Sequence, residues 1–224
     1  MKKILMAVVI ATTMFAAFNA NAQTSHLDKR FAFGVKGGLN LSNMSFSYDV
    51  DEPNEPKLKF GFHAGLIFEY RINRLLGVSL EPMYSMQGFR ISYEGTIPVL
   101  VDYEVTGGLT ANYIQVPLML KFYPFGGLFI EAGPQFGFCI GASTDETVVK
   151  IGSTEEKTPS VDLKSGDDYN VFDFGVGFGA GWDFGHFFVS ARYNLGITNF
   201  AATLNDGDES VKNNNIMVSV GFKF

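Results

Sequence analysis

NIMVSVGFKF, residues 215 to 224, alternates apolar residues with small or polar ones to its last position. Ile216, Val218, Val220, Phe222 and Phe224 make one face; Met217, Ser219, Gly221 and Lys223 make the other. A repeat of two is the period of a β-strand with one oily face. An open apolar strand invites association through its edge. A sheet that pairs its last strand with its first has no edge, so the segment predicts a closed barrel.

Seven earlier segments carry the same alternation: Phe31 to Ser42, Leu58 to Arg71, Leu76 to Gln87, Ala111 to Phe122, Leu128 to Ala142, Asn170 to Phe184 and Phe187 to Leu195. The connections alternate in length. Polar loops are expected before Leu58, over Gly88 to Leu109, over Ser143 to Tyr169 and over Gly196 to Asn214. Short turns are expected at Ile72 to Leu75, Tyr123 to Gly127 and Gly185-His186. Eight strands with short turns at one end and long loops at the other match the connectivity of an outer-membrane barrel. The predicted fold is all-β, an eight-stranded antiparallel up-and-down transmembrane β-barrel.

The second face decides between membrane and water. A soluble barrel turns its oily face inward and needs Lys, Glu and Thr outside. Here the second face is mostly Gly, Ser and Ala, as in the run Gly175, Gly177, Gly179 and Gly181. Such residues suit the lining of a narrow barrel, and the Phe- and Leu-rich face suits lipid. Tyr70, Phe122, Tyr123, Trp182, Phe184, Phe187, Phe222 and Phe224 gather near the short-turn ends, as an interfacial girdle does.

The N-terminus reads as a sorting segment. Lys2 and Lys3 precede the apolar run Ile4 to Phe18, and Ala20-Asn21-Ala22 offers small residues to a signal peptidase. The expected division is a signal peptide over 1–22 and a barrel domain over 23–224. The second part has 202 residues, 15 of them basic and 23 acidic. An acidic chain without basic patches excludes a nucleic-acid partner. Cys139 is the single cysteine, which excludes an intramolecular disulfide and a Cys-based metal site.

Several stretches resemble the PorT-like outer-membrane β-barrel family of Bacteroidota. They are GVKGGLNLSNM (Gly34 to Met44), YIQVPLMLKFY (Tyr113 to Tyr123), FIEAGPQFGF (Phe129 to Phe138), FDFGVGFGAGWDF and ARYNLGITNF. Gln115 stands where a Glu is common in that family. The resemblance implies the barrel and its place in the outer membrane.

The inward face is expected to hold Lys36, His63, Glu69, Arg71, Glu81, Lys121, Glu131, Asp173, Asp183 and Arg192. Charges in a low-dielectric lumen must pair. An interior polar network of Lys36, Glu81, Lys121, Glu131, Asp173 and Arg192 follows, with Lys121 and Glu131 meeting across adjacent strands. No catalytic residue is assigned. His26 precedes the barrel, His63 faces inward and His186 lies in a turn, none beside a candidate nucleophile in this pattern. No cofactor or metal is expected. Asp206-Gly207-Asp208-Glu209 lacks the spacing of a calcium loop, and Asp49, Asp51, Glu52 and Glu55 read as solvated loop charge.

The functional expectation is an integral barrel with a plugged interior, acting as a structural or surface-interaction protein through four long outer loops. A small-solute porin-like channel or an accessory of a secretion apparatus is the alternative. The expected partners are outer-membrane lipid, lipopolysaccharide, the barrel-assembly machinery and a protein at the outer loops, with the barrel a monomer. Phe224, Phe222 and Val220 resemble the C-terminal signal by which such barrels are recognised for assembly.

Overall fold

Residues 30–46, 57–97, 101–151, 154–201 and 211–224 are described by the structure, a computed structural model. The segment read as a signal peptide, His26 and the two acidic loop clusters lie outside them. Eleven strands follow in order: β1 (Phe31–Phe46), β2 (Lys57–Arg71), β3 (Leu76–Leu80), β4 (Met83–Ile97), β5 (Val101–Phe125), β6 (Leu128–Thr144), β7 (Thr147–Ile151), β8 (Thr154–Thr158), β9 (Phe172–Asp183), β10 (Phe187–Gly196) and β11 (Val211–Lys223).

Eight staves close into a barrel. β3 and β4 form one broken stave between β2 and β5, and the ring continues through β6, β9, β10, β11 and β1 back to β2. The seam is the antiparallel pair β1–β11, in register from Gly34 opposite Lys223 to Phe46 opposite Val211. The Phe224 amide donates to the Phe33 carbonyl at 2.8 Å, and the Phe33 and Phe224 rings stack 5.9 Å apart.

Apolar side chains point out and polar ones point in, the reverse of a soluble domain. Phe60 is 72% exposed and Val220 62%, whereas Asn40 is 0%, Glu81 1% and Lys121 3% exposed. The outward faces are those expected from the alternation, with one correction. Tyr123 leaves the girdle for the lumen, where it packs on Phe129. It follows Phe122 by one residue, and a period of two sends it to the other face.

Three differences concern strand limits. The third stave breaks at Glu81-Pro82, because proline has no amide to give a ladder. The neighbours adapt: Leu66 donates to the Pro82 carbonyl at 2.9 Å, and Glu81 donates to that of Pro117 at 3.1 Å. The expected loop Gly88 to Leu109 is a hairpin instead. β4 and β5 run on past the barrel, paired from Gly88 opposite Thr110 to Ile97 opposite Val101. The expected loop Ser143 to Tyr169 contains β7 and β8, and β7 adds to β5 beside that hairpin.

The result is a four-stranded blade, β4–β5–β7–β8, at the long-loop end. Tyr93, Val105 and Val149 lie opposite one another on one face, as do Tyr103 and Ile151. Glu104, Lys150 and Glu155 lie on the other face, where Lys150 and Glu104 pair at 3.1 Å. β8 is exposed throughout and carries Glu155, Glu156 and Lys157, charges that discourage a further strand from joining.

Candidate functional site: the lumen

From β1 to β11 the inward positions stack into layers. Toward the long loops the lumen is roofed by an apolar cluster of Met44, Tyr113, Cys139, Tyr169, Phe200 and Val211. Below it lie neutral amides, among them Gln87, Gln115, Gln135, Asn194, Asn213 and Asn215, all under one-tenth exposed. Gln115, at the position where the resemblance expects a Glu, has neither end of its amide hydrogen-bonded.

The middle is charged. Lys36 Nζ donates to Glu81 Oε2 at 2.7 Å, and Arg192 Nη2 donates to the same oxygen at 2.8 Å. Arg192 Nε donates to Glu131 Oε1 at 2.7 Å. Lys121 Nζ sits 3.3 Å from Glu69, 3.4 Å from Glu81 and 3.8 Å from Glu131. Lys121 and Glu131 are direct partners across the β5–β6 ladder. Five of the six residues assigned to the network from sequence are thus brought together. Asp173 is not among them. It lies nearer the roof, where it accepts a hydrogen bond from the Thr198 hydroxyl at 2.8 Å. On β9 two inward positions, Gly175 and Gly177, lie between it and the Glu131 level, since Gly179 opposes Glu131 and Gly137 opposes Asp173.

Toward the short turns a second cluster centres on Glu69. It accepts from Arg71 Nε at 2.7 Å and from the Tyr123 hydroxyl at 2.8 Å. Lys223 bridges Glu69 and Asp183, and the Arg71 guanidinium lies 3.4 Å from the Tyr123 ring centre. Lys121 joins the two clusters. Lys223 falls on the polar face in the alternation, and its register opposite Gly34 carries it into the lumen, beyond the charged set expected from sequence.

Glycine sets which side chains meet. Gly179 of β9 lies opposite both Arg192 of β10 and Glu131 of β6, so those two reach each other over a strand with no side chain. Gly38 of β1 likewise lies opposite both His63 and Ser219. His63 Nε2 is 2.8 Å from Ser219 Oγ, and His63 Nδ1 is 2.8 Å from Asn40 Oδ1. The expectation that no histidine adjoins a nucleophile is therefore corrected. Ser219, His63 and Asn40 stand in the order of nucleophile, base and orienting group. All three are enclosed, at 3%, 2% and 0% exposure, which leaves no face for a substrate. The row acts as a hydrogen-bonded tie across the seam.

Chemically the middle of the lumen offers paired ions. A buried charge is tolerated only when paired and hydrogen-bonded. Every charged side chain of the middle layer has a partner of opposite sign within 4 Å, from a different strand. Arg192 of β10 reaches Glu81 of the stave on the opposite side of the ring.

A closed eight-stave ring with lipid-facing apolar rows and an ion-paired lumen is an integral outer-membrane β-barrel protein. The chain belongs to the outer membrane protein beta-barrel domain family, which residues 21–202 match. Among solved structures it is similar to Ail, the attachment invasion locus protein of Yersinia pestis, at 17% identity, with 86% of this chain and 98% of that chain covered and a TM-score of 0.41. It is similar to Neisserial surface protein A at 14% identity, covering 86% and 97%, also with a TM-score of 0.41. OprG from Pseudomonas aeruginosa shares 14% identity over 86% and 95%, with a TM-score of 0.39. No curated protein matches the chain.

Proposed function

We propose that this barrel is occluded and works as a structural or surface-interaction protein of the outer membrane. The observation that carries the reading is the ion-paired layer of Lys36, Glu81, Lys121, Glu131 and Arg192, drawn from the staves β1, β3–β4, β5, β6 and β10. The blade at the long-loop end would do the recognising. Its Tyr93, Tyr103, Val105, Val149 and Ile151 offer an apolar face for a protein partner, and the belt below meets lipid and lipopolysaccharide. The barrel works as a monomer, and the PorT-like resemblance points to a bacteroidotal outer membrane. The first 22 residues direct export and are cleaved.

Planar-bilayer recording tests the occlusion. The folded protein is expected to give no resolved single-channel openings. Well-resolved openings would replace this reading with a small-solute channel, and stable co-purification with secretion proteins would replace it with an accessory role.

The assembly role of Phe224, Phe222 and Val220 is part of the same proposal. All three face outward on the seam strand, and Phe224 closes the last rung onto Phe33. Deleting Phe224 is expected to lower the yield of folded barrel in the outer membrane several-fold, read as the heat-modifiable band on a gel. An unchanged yield would refute the role.

A further inference from the structure

Asp173, which falls outside the ion-pair network, lines a small cavity of about 10 Å³ together with Gln87, Gln135, Asn194, Asn213 and Asn215. That is room for one particle the size of a water molecule or a bare ion. Three of the amides around it are held by their nitrogens. Asn194 Nδ2 is spent on the Met217 sulfur at 2.9 Å, and Asn213 Nδ2 donates to Gln87 Oε1 at 2.6 Å. Gln87 Nε2 in turn donates to Ser85 at 2.8 Å. The nitrogens of Asn194, Asn213 and Gln87 are thus engaged, whereas both ends of the Asn215 amide are unpartnered, so either can turn toward the space. Oε1 of Gln135 and Oδ1 of Asn194, Asn213 and Asn215 are buried without a hydrogen-bond partner. All four residues are more than nine-tenths buried.

Asp173 is half-buried, and a carboxylate drawn out of water is stable when paired with a cation or bound to a metal. Among the described residues no Lys, Arg or His pairs with Asp173; the Thr198 hydroxyl donates to it, and the Asn213 side chain lies within hydrogen-bonding reach. Arg192, two positions from Asn194 on β10, is already held by Glu81 and Glu131. One unpaired carboxylate and four unpartnered amide oxygens around an ion-sized space form the donor set of a hard cation. Such ions take carboxylate and amide oxygens in irregular shells, calcium with six to eight of them. Water fits less well, because it would donate to two of these oxygens and leave the other acceptors and the negative charge unmet.

We propose that the lumen binds a single hard, oxygen-seeking cation between β4, β6, β9, β10 and β11, with Asp173 as its charged ligand and Gln135, Asn194, Asn213 and Asn215 as neutral ones. The cation completes the plug on the roof side of the ion-paired layer. This site stands whether or not the barrel conducts.

The test is thermal unfolding of the full folded barrel in detergent micelles, followed through Trp182 fluorescence, with calcium chloride titrated against choline chloride at constant ionic strength. The midpoint is expected to rise saturably, by about 3 °C at a tenfold excess over the dissociation constant. Asp173→Asn is expected to lose that rise, and Glu104→Gln, on the blade, to keep it. Asn215→Asp adds a second carboxylate and is expected to lower the half-saturating calcium concentration about tenfold. A wild-type midpoint indifferent to calcium, or an equal rise in Asp173→Asn, overturns the proposal. Should Asp173→Asn fail to fold, an unchanged half-saturation in Asn215→Asp overturns it equally.

Discussion

Glu81→Ala is expected to destabilise the barrel by about 3–5 kcal/mol, the scale for breaking a buried ion network from one side. Glu81 accepts from Lys36 and Arg192, takes a third bond from Ser79 at 2.8 Å, and lies 3.4 Å from Lys121. Its removal leaves Lys36 without its carboxylate in a site 6% exposed. Arg192 and Lys121 keep Glu131, so the loss falls mainly on the side of β1. Urea unfolding in micelles or vesicles gives the number. The reference is Lys150→Ala, which breaks a half-exposed pair on the blade and should cost about 1 kcal/mol or less. If the two variants lose equal stability, the lumen is wet enough to screen its charges, and the occluded-barrel reading loses its physical basis.

The second large effect is expected at Gly38. A Cβ there would stand 1.9 Å from the Val218 carbonyl oxygen and 2.8 Å from His63 Cε1. The first is backbone of the seam partner and cannot move without opening the β1–β11 ladder. The second would push His63 off Ser219. Gly38→Val is expected to cost about 3 kcal/mol, combining overpacking with an orphaned buried imidazole. Gly141→Ala, where an added Cβ meets nothing within 4 Å, should stay within about 0.5 kcal/mol. Equal stability of the two variants would show that the seam is looser than drawn.

The period of two made the staves readable wherever one face meets lipid and the other a packed lumen. Past the membrane the alternation goes on but its phase shifts by one residue, so a reading that follows one continuous oily face stops there. Phe89, Ile91 and Tyr93 hold odd positions where Tyr84 and Met86 hold even ones, and the oily face of the third stave therefore reads as ending before Gly88. Thr154–Thr158 has no apolar residue, and its strand exists because β7 offers it an edge. Pro82 hid a break inside an otherwise unbroken pattern.

The site was readable to the same depth. Lys121 and Glu131 flank a tight turn, so their meeting follows from adjacency alone. Arg192 and Glu131 are separated by a strand, and Lys36 and Glu81 come from staves that are not neighbours. Their contacts depend on the barrel radius and on Gly179, which no local pattern reveals. A usable signal existed: once the register is known, a glycine between two polar residues on flanking strands marks a pair that meets over it. Applied to Gly38, that rule would have found His63 and Ser219.

The way the charged layer is stitched also governs how the barrel yields to force. Lys36, Glu81, Lys121, Glu131 and Arg192 come from different staves, and each touches at least one other across the bore. A pull on the blade loads β4 and β5, and through Glu81 and Lys121 it reaches β1, β6 and β10 at once. Zipping off one hairpin at a time would require each departing stave to strip its counter-charge in the lipid layer. Force spectroscopy on the membrane-embedded barrel is therefore expected to show one high-force rupture rather than a staircase of small ones.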